Sequence, residues 1–207
     1  MTDNGSDRVD RPRVMLLAPV PTDVPADEAV SCLRALAATA PVAAVLLPAG
    51  KGGARAWQER LREQARVLSV ACLVMDDVSA CLALEADGVL LHDVPPAEVR
   101  RARARLGREG IIGVCCPTRR HALMELGEAG ADWLGVDQRM EAAGENLLAW
   151  AAEMITLPLA AMQPAPPEEV ARLVALGADF VVPVPEVWES ERKAMDLAAA
   201  YAAALAA

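Results

Sequence analysis

The sequence predicts a single α/β domain folded as a closed (β/α)8 TIM barrel, and three observations predict it. Short β-branched or leucine-rich runs alternate strictly with amphipathic stretches, the pattern of parallel strands joined by helices. Eight such units fit into the chain, and eight is the number at which a parallel sheet closes on itself. An Ala-Asp step also precedes three of the runs, at Ala86-Asp87-Gly88-Val89, Ala131-Asp132-Trp133-Leu134 and Ala178-Asp179-Phe180-Val181, at spacings of 45 and 47 residues. Each spacing covers two β/α units, so strands four, six and eight begin alike, as duplicated βαβα quarters would. Asp87, Asp132 and Asp179 then stand at strand starts, away from the end that carries chemistry in such barrels, and are expected to bond loop backbone.

Residues 1–13 are polar and charged, contain Pro12 and lack an apolar run, so they are expected to form a flexible tail before a barrel over 14–207. The first strand covers 14–20 and is stopped by Pro21 and Pro25; a helix over 27–38 follows, with Val30, Leu33 and Ala37 at helical spacing. A strand over 42–47 ends at Pro48, and the Gly50-Lys51-Gly52-Gly53 turn leads to a charged helix over 54–68 that lines up Trp57, Leu61 and Ala65. Strand 71–75, helix 78–84 and strand 88–91 come next, then Pro95-Pro96 opens an arginine-rich helix to Leu106. Strand 111–114, helix 119–129, strand 133–136 and a helix over 144–153 continue the alternation. Strand 159–162 precedes a helix that starts at Pro167, with Glu168 and Glu169 complementing its dipole. The last strand covers 180–184, and an alanine-rich helix over 190–205 closes the chain with Met195, Leu197, Tyr201 and Leu205 for packing. A doubly wound open sheet would want glycines after the first strand, and Ala18-Pro19-Val20-Pro21-Thr22 has none.

Composition narrows the function. At 207 residues and 54% hydrophobic, the chain can bury one full core. Its 29 acidic against 20 basic residues give a net charge of -9, which repels a phosphate backbone or an anionic lipid surface. The expected partner is a small-molecule ligand, with no nucleic acid and no membrane; a homodimer is left open. The five cysteines, Cys32, Cys72, Cys81, Cys115 and Cys116, show no CxxC spacing and follow no export signal, so they are expected to be reduced thiols in a cytoplasmic protein. Arg100, Arg101, Arg103 and Arg105 cover all sides of their helix and read as solvated charge, and His121 reads as a surface or capping residue.

The run Leu73-Val74-Met75-Asp76-Asp77 through Ala86-Asp87-Gly88-Val89-Leu90-Leu91 resembles a signature of the thiamine phosphate synthase and TenI family. The resemblance continues through Gly113-Val114-Cys115, Gly130-Ala131-Asp132-Trp133-Leu134-Gly135-Val136, Leu157-Pro158-Leu159-Ala160-Ala161-Met162 and Gly177-Ala178-Asp179-Phe180-Val181. It implies a barrel enzyme that joins a pyrimidine methyl diphosphate to a thiazole phosphate with loss of pyrophosphate. In the family, a Gln-x-Arg-x-Lys strand, a late lysine and a magnesium ion on two aspartates hold the diphosphate. The thiazole phosphate rests on backbone amides of a Gly-Gly turn and a Val-Ser turn. Releasing pyrophosphate requires cations and oriented amides on the leaving charge.

Carried over residue by residue, the resemblance implies Asp76 as the first magnesium ligand and Asp93 as the second, the latter across a two-residue deletion. Lys51 is the nearest cation to the second strand, where Val45-Leu46-Leu47-Pro48 replaces the polar triplet. Cys115 stands for the family's serine, and Asp137-Gln138-Arg139 follows strand six. Gln163-Pro164 stands for Gly-Gly and Val184-Pro185 for Val-Ser, and each proline removes an amide hydrogen. Lys51, Cys115 and Gln163 are therefore the candidate substrate contacts, Asp76 and Asp93 the candidate metal ligands, and magnesium the implied cofactor.

The expected rim of the barrel, Asp76, Asp77, His92, Asp93, Cys115, Cys116, Asp137, Gln163 and Glu186, is acidic and would need a divalent ion before it could take a diphosphate. Three functions stay open: the family condensation, impaired or altered; a non-catalytic barrel that binds a small molecule or a partner protein; and another barrel chemistry. The last, an aldolase or isomerase, would want a buried catalytic lysine or a paired acid and base, and only Lys51 and Lys193 exist, neither in an expected strand.

Overall fold

A computed structural model describes residues 14–49, 55–116, 119–137, 141–142 and 145–206. Lys51, Pro117, Gln138, Arg139 and the expected tail over 1–13 lie outside the described residues. The elements are β1 (Met15–Pro19), α1 (Ala26–Thr39), β2 (Val42–Leu47), α2 (Arg55–Val67), β3 (Ala71–Met75), α3 (Val78–Leu84), β4 (Gly88–His92) and α4 (Pro96–Leu106). There follow β5 (Ile111–Cys116), α5 (Arg120–Glu128), β6 (Trp133–Val136), α6 (Leu147–Met154), β7 (Leu159–Ala165), α7 (Pro167–Ala175), β8 (Phe180–Pro183) and α8 (Glu191–Ala206). The eight parallel strands close in sequence order, with β8 pairing β1. The (β/α)8 barrel read from the alternation is the observed fold.

The core has two layers, as strand alternation requires. One face of each strand meets the helices: Leu16, Val45, Val74, Val89, Ile112, Val114 and Leu134 pack there with helix residues such as Leu33, Leu61 and Leu123. The other face fills the barrel with Leu17, Ala44, Leu46, Leu73, Leu90, Trp133, Ala160 and Val182. Trp133 meets Phe180 edge-on, with centroids 6.0 Å apart and an interplanar angle of 62°. Their bulk is accommodated by glycine on a neighbouring strand: a Cβ at Gly113 would lie 2.1 Å from the Trp133 ring. Few aromatics thus suffice, because one Trp-Phe pair takes the space that small residues leave.

Each of the three repeated aspartates makes the same two bonds. Asp87 donates its N–H to the Cys72 carbonyl at 2.9 Å and accepts the Cys72 N–H on Oδ2 at 2.7 Å. Asp132 does the same with Ile112, at 2.8 and 2.6 Å, and Asp179 with Leu159, at 2.8 and 2.9 Å. Strands four, six and eight are thereby stapled to the starts of strands three, five and seven; the aspartates stand at strand starts as expected, but the backbone they bond belongs to neighbouring strands rather than to loops.

Four readings are corrected. Arg103 is not solvated charge: it is largely buried and donates to the carbonyls of Gly107, Gly110 and Gly130 and to Asp132 Oδ2. Met195 does not pack; it lies exposed on α8. The helix expected over 144–153 starts at Leu147, where Asn146 caps it, after a short ribbon pairing Glu141–Ala142 with Glu145–Asn146. The seventh strand does not stop at Met162 but runs to Ala165, so Gln163 and Pro164 lie within β7 rather than in a turn. Val181 faces Ala161 while Pro183 faces Ala165, so β7 bulges across Met162-Gln163-Pro164. Pro164 offers no ladder hydrogen, and a bulge is where a strand tolerates that loss.

Candidate functional site at the barrel mouth

The C-terminal strand ends gather most of the rim residues expected from the sequence. Asp76 follows β3 and Asp93 follows β4, and both adopt the left-handed conformation, with φ of 55° and 51°. Aspartate is among the residues that tolerate this region. Their backbones are fixed alike: Asp76 donates its N–H to the Leu90 carbonyl at 2.9 Å, and Asp93 donates to the Cys115 carbonyl at 3.2 Å. Two carboxylates therefore end neighbouring strands at the same end of the barrel. Asp77 turns away to cap α3, accepting the Ala80 N–H at 2.8 Å.

His92, the last residue of β4, is drawn onto Asp76. Its N–H reaches Oδ1 at 2.7 Å and its Nδ1 sits 2.9 Å from Oδ2. Cys115 is its cross-strand neighbour on β5. The thiol is half-buried inside the barrel, where a Cβ at Gly135 would come within 2.7 Å of Sγ. On the far side Gln163 donates from Nε2 to Asp137 Oδ2 at 2.9 Å. Asp76 with His92, and Asp137 with Gln163, are thus brought together, whereas Glu186 opens a 3-10 turn over Pro185–Trp188 and is exposed.

One participant escaped the sequence reading. Tyr201 of α8 is fully buried; its hydroxyl accepts the Val184 N–H at 2.9 Å and donates to the Ala165 carbonyl at 2.6 Å. Burial pushes its pKa up to about 12, so it stays a neutral donor. The sequence signal was a lone tyrosine in an alanine-rich helix, which reads as packing until β7 and β8 are placed beside it. The thiols with displaced pKa values lie elsewhere: burial raises Cys72 to about 12 and Cys32 and Cys81 to about 11, which makes them inert core residues.

Among the described residues no three His, Cys, Asp or Glu side chains are grouped closely enough to enclose a metal ion. The mouth does offer hard carboxylate oxygens on adjacent strands, and each Asp76 oxygen, bonded once by His92, keeps a second lone pair. That donor set fits magnesium, which binds through one or two carboxylates while water and substrate phosphate complete its shell.

A family model described as thiamine monophosphate synthase matches residues 20–187. The chain belongs to this family. A thiamine-phosphate synthase of Thioalkalivibrio sulfidiphilus is 34% identical over 97% of this chain and 99% of its own length. Another, of Erythrobacter litoralis, is 33% identical over 72% of this chain and 81% of its own length. Among solved structures, a thiamine phosphate pyrophosphorylase from Pyrococcus furiosus superposes with a TM-score of 0.76 at 20% identity, covering 95% of this chain and 97% of that one, and so supports the fold. The match to the thiamine monophosphate synthase family spans every strand from β2 to β8. No helix among the described residues is long and apolar enough to cross a membrane.

Proposed function

We propose that this member of the thiamine monophosphate synthase family is a cytoplasmic barrel protein in which condensation of a pyrimidine methyl diphosphate with a thiazole phosphate is impaired or altered. The observation that carries the reading is the state of the amides near the C-terminal ends of β7 and β8, at the β7 bulge and just past β8. Pro164 and Pro185 have no amide hydrogen, and the Val184 N–H is already spent on Tyr201. A phosphate held at those ends through main-chain donors in relatives finds fewer here. Removing one oriented donor from an oxyanion site costs roughly 3 kcal/mol of transition-state stabilisation, so two prolines and one committed amide weigh more than scaffold similarity.

Within this reading Asp76 and Asp93 hold magnesium, whose charge would neutralise a leaving diphosphate. Lys51, Cys115 and Gln163 are the proposed substrate contacts, with Gln163 held by Asp137. A second reading, a non-catalytic small-molecule binder, is favoured by that same pair, because it commits the Gln163 amide to the protein. Thermal-shift measurements separate the two: stabilisation by thiazole phosphate or by pyrophosphate with magnesium supports the first, and stabilisation by an unphosphorylated ligand alone supports the second.

A further inference from the structure

We propose that His92 is a positioning residue for a divalent cation at the barrel mouth: its imidazole fixes the Asp76 carboxylate in the orientation that receives the ion. The inference rests on the reading that Asp76 and Asp93 hold magnesium, and it concerns only how the first of them is held.

The arrangement follows from the strand register. β3 and β4 run parallel with Met75 beside Leu90, and the Asp76 N–H continues the ladder to the Leu90 carbonyl at 2.9 Å. The next rung of a regular parallel ladder would carry the His92 N–H to the main-chain carbonyl of Asp76. Asp76 instead turns left-handed, with φ of 55°, and its side chain takes that rung: Oδ1 accepts the His92 N–H at 2.7 Å. Any residue at position 92 other than proline could supply this bond. The imidazole adds a second, because Nδ1 lies 2.9 Å from Oδ2. An ionised carboxylate only accepts, so Nδ1 donates in this contact.

One bond leaves a carboxylate free to rotate about it, whereas bonds to both oxygens fix both side-chain torsions. Each oxygen keeps a lone pair for the cation, and rotamer freedom that the ion would otherwise have to remove is already gone. Asp93 shows the contrast. It has the same left-handed backbone, with φ of 51°, yet its carboxylate has no hydrogen-bond partner among the described residues. One ligand is thus set in advance and the other is left to close on the ion. Stability does not explain the contact, since the His92 and Asp76 side chains are 39% and 51% exposed and such pairs contribute little to folding. Orientation of a metal-binding carboxylate does explain it, because the outer hydrogen bonds of a ligand commonly set metal affinity.

The test is titration of the intact protein with manganese(II), a cation taken by the same oxygen donors as magnesium, followed by calorimetry and by the spin-resonance signal of the free ion. Wild type, Asp76→Asn, His92→Ala, His92→Asn and His92→Gln are compared. Asparagine can place its amide nitrogen where Nδ1 sits, and glutamine, one carbon longer, carries it past that point. The expected result is a wild-type site that Asp76→Asn abolishes, that His92→Ala and His92→Gln weaken about tenfold, and that His92→Asn retains within about threefold. The comparison of His92→Asn with His92→Gln decides the matter even if His92→Ala fails to fold. Equal or tighter manganese binding by a folded His92→Ala protein, or binding by His92→Asn as weak as by His92→Gln, would overturn the proposal while the metal reading stands. A wild-type protein without a manganese site that depends on Asp76 would overturn both.

Discussion

Asp132 meets the Ile112 amide and the Arg103 guanidinium with the same oxygen, and Arg103 ties three carbonyls to it. Replacing Asp132 with Ala leaves both donors unmet, so urea denaturation should register a loss of about 1–3 kcal/mol. An unchanged midpoint would mean that water replaces the staple at no cost. Tyr201→Phe is a sharper case, because it keeps the packing and removes one hydroxyl that serves β7 and β8 together. Its expected loss is about 2 kcal/mol, with faster hydrogen exchange at the Val184 amide. These residues differ in how well the sequence announced them. The three aspartates were legible because duplication repeated them in phase. Arg103 and Tyr201 were not, since an arginine among arginines and a tyrosine among alanines acquire their partners only after the chain closes.

At the scale of elements, the strands were legible from apolar runs, and their ends less so. The seventh was cut short at Met162 because proline reads as a stop; in the barrel, the bulge against β8 absorbs Pro164 and pairing resumes at Ala165. The ribbon before α6 gave no signal, being two residues on each side. The interior layering gives a prediction of its own. Gly113→Ala puts a methyl group against the Trp133 ring and should cost about 1–3 kcal/mol in thermal or urea unfolding. Combining it with Trp133→Phe should recover part of that loss, and a double variant no better than the single one would show that the barrel interior does not pack as described.

The whole molecule should be sensitive to alkali. Cys32, Cys72, Cys81 and Tyr201 all titrate higher in the folded state than their ordinary values of 9.0 and 10.0. The native protein therefore holds protons that the unfolded chain releases, and stability falls as pH rises from about 9 towards 11–12. Melting temperatures should be flat below this window and decline through it, and Cys72→Ala should flatten the decline. Fold and family were legible at this scale because scaffold positions such as Gly113 and Asp132 are packing requirements with few solutions. Function was less legible, because it depends on where individual amide hydrogens point, and Val184 reveals that only beside Tyr201. The most direct test of the central claim is product formation by purified protein given the pyrimidine diphosphate, the thiazole phosphate and saturating magnesium. The account predicts a rate roughly a thousandfold or more below that of the Thioalkalivibrio relative assayed alongside, as loss of oriented donors would produce. Turnover equal to that relative would contradict it.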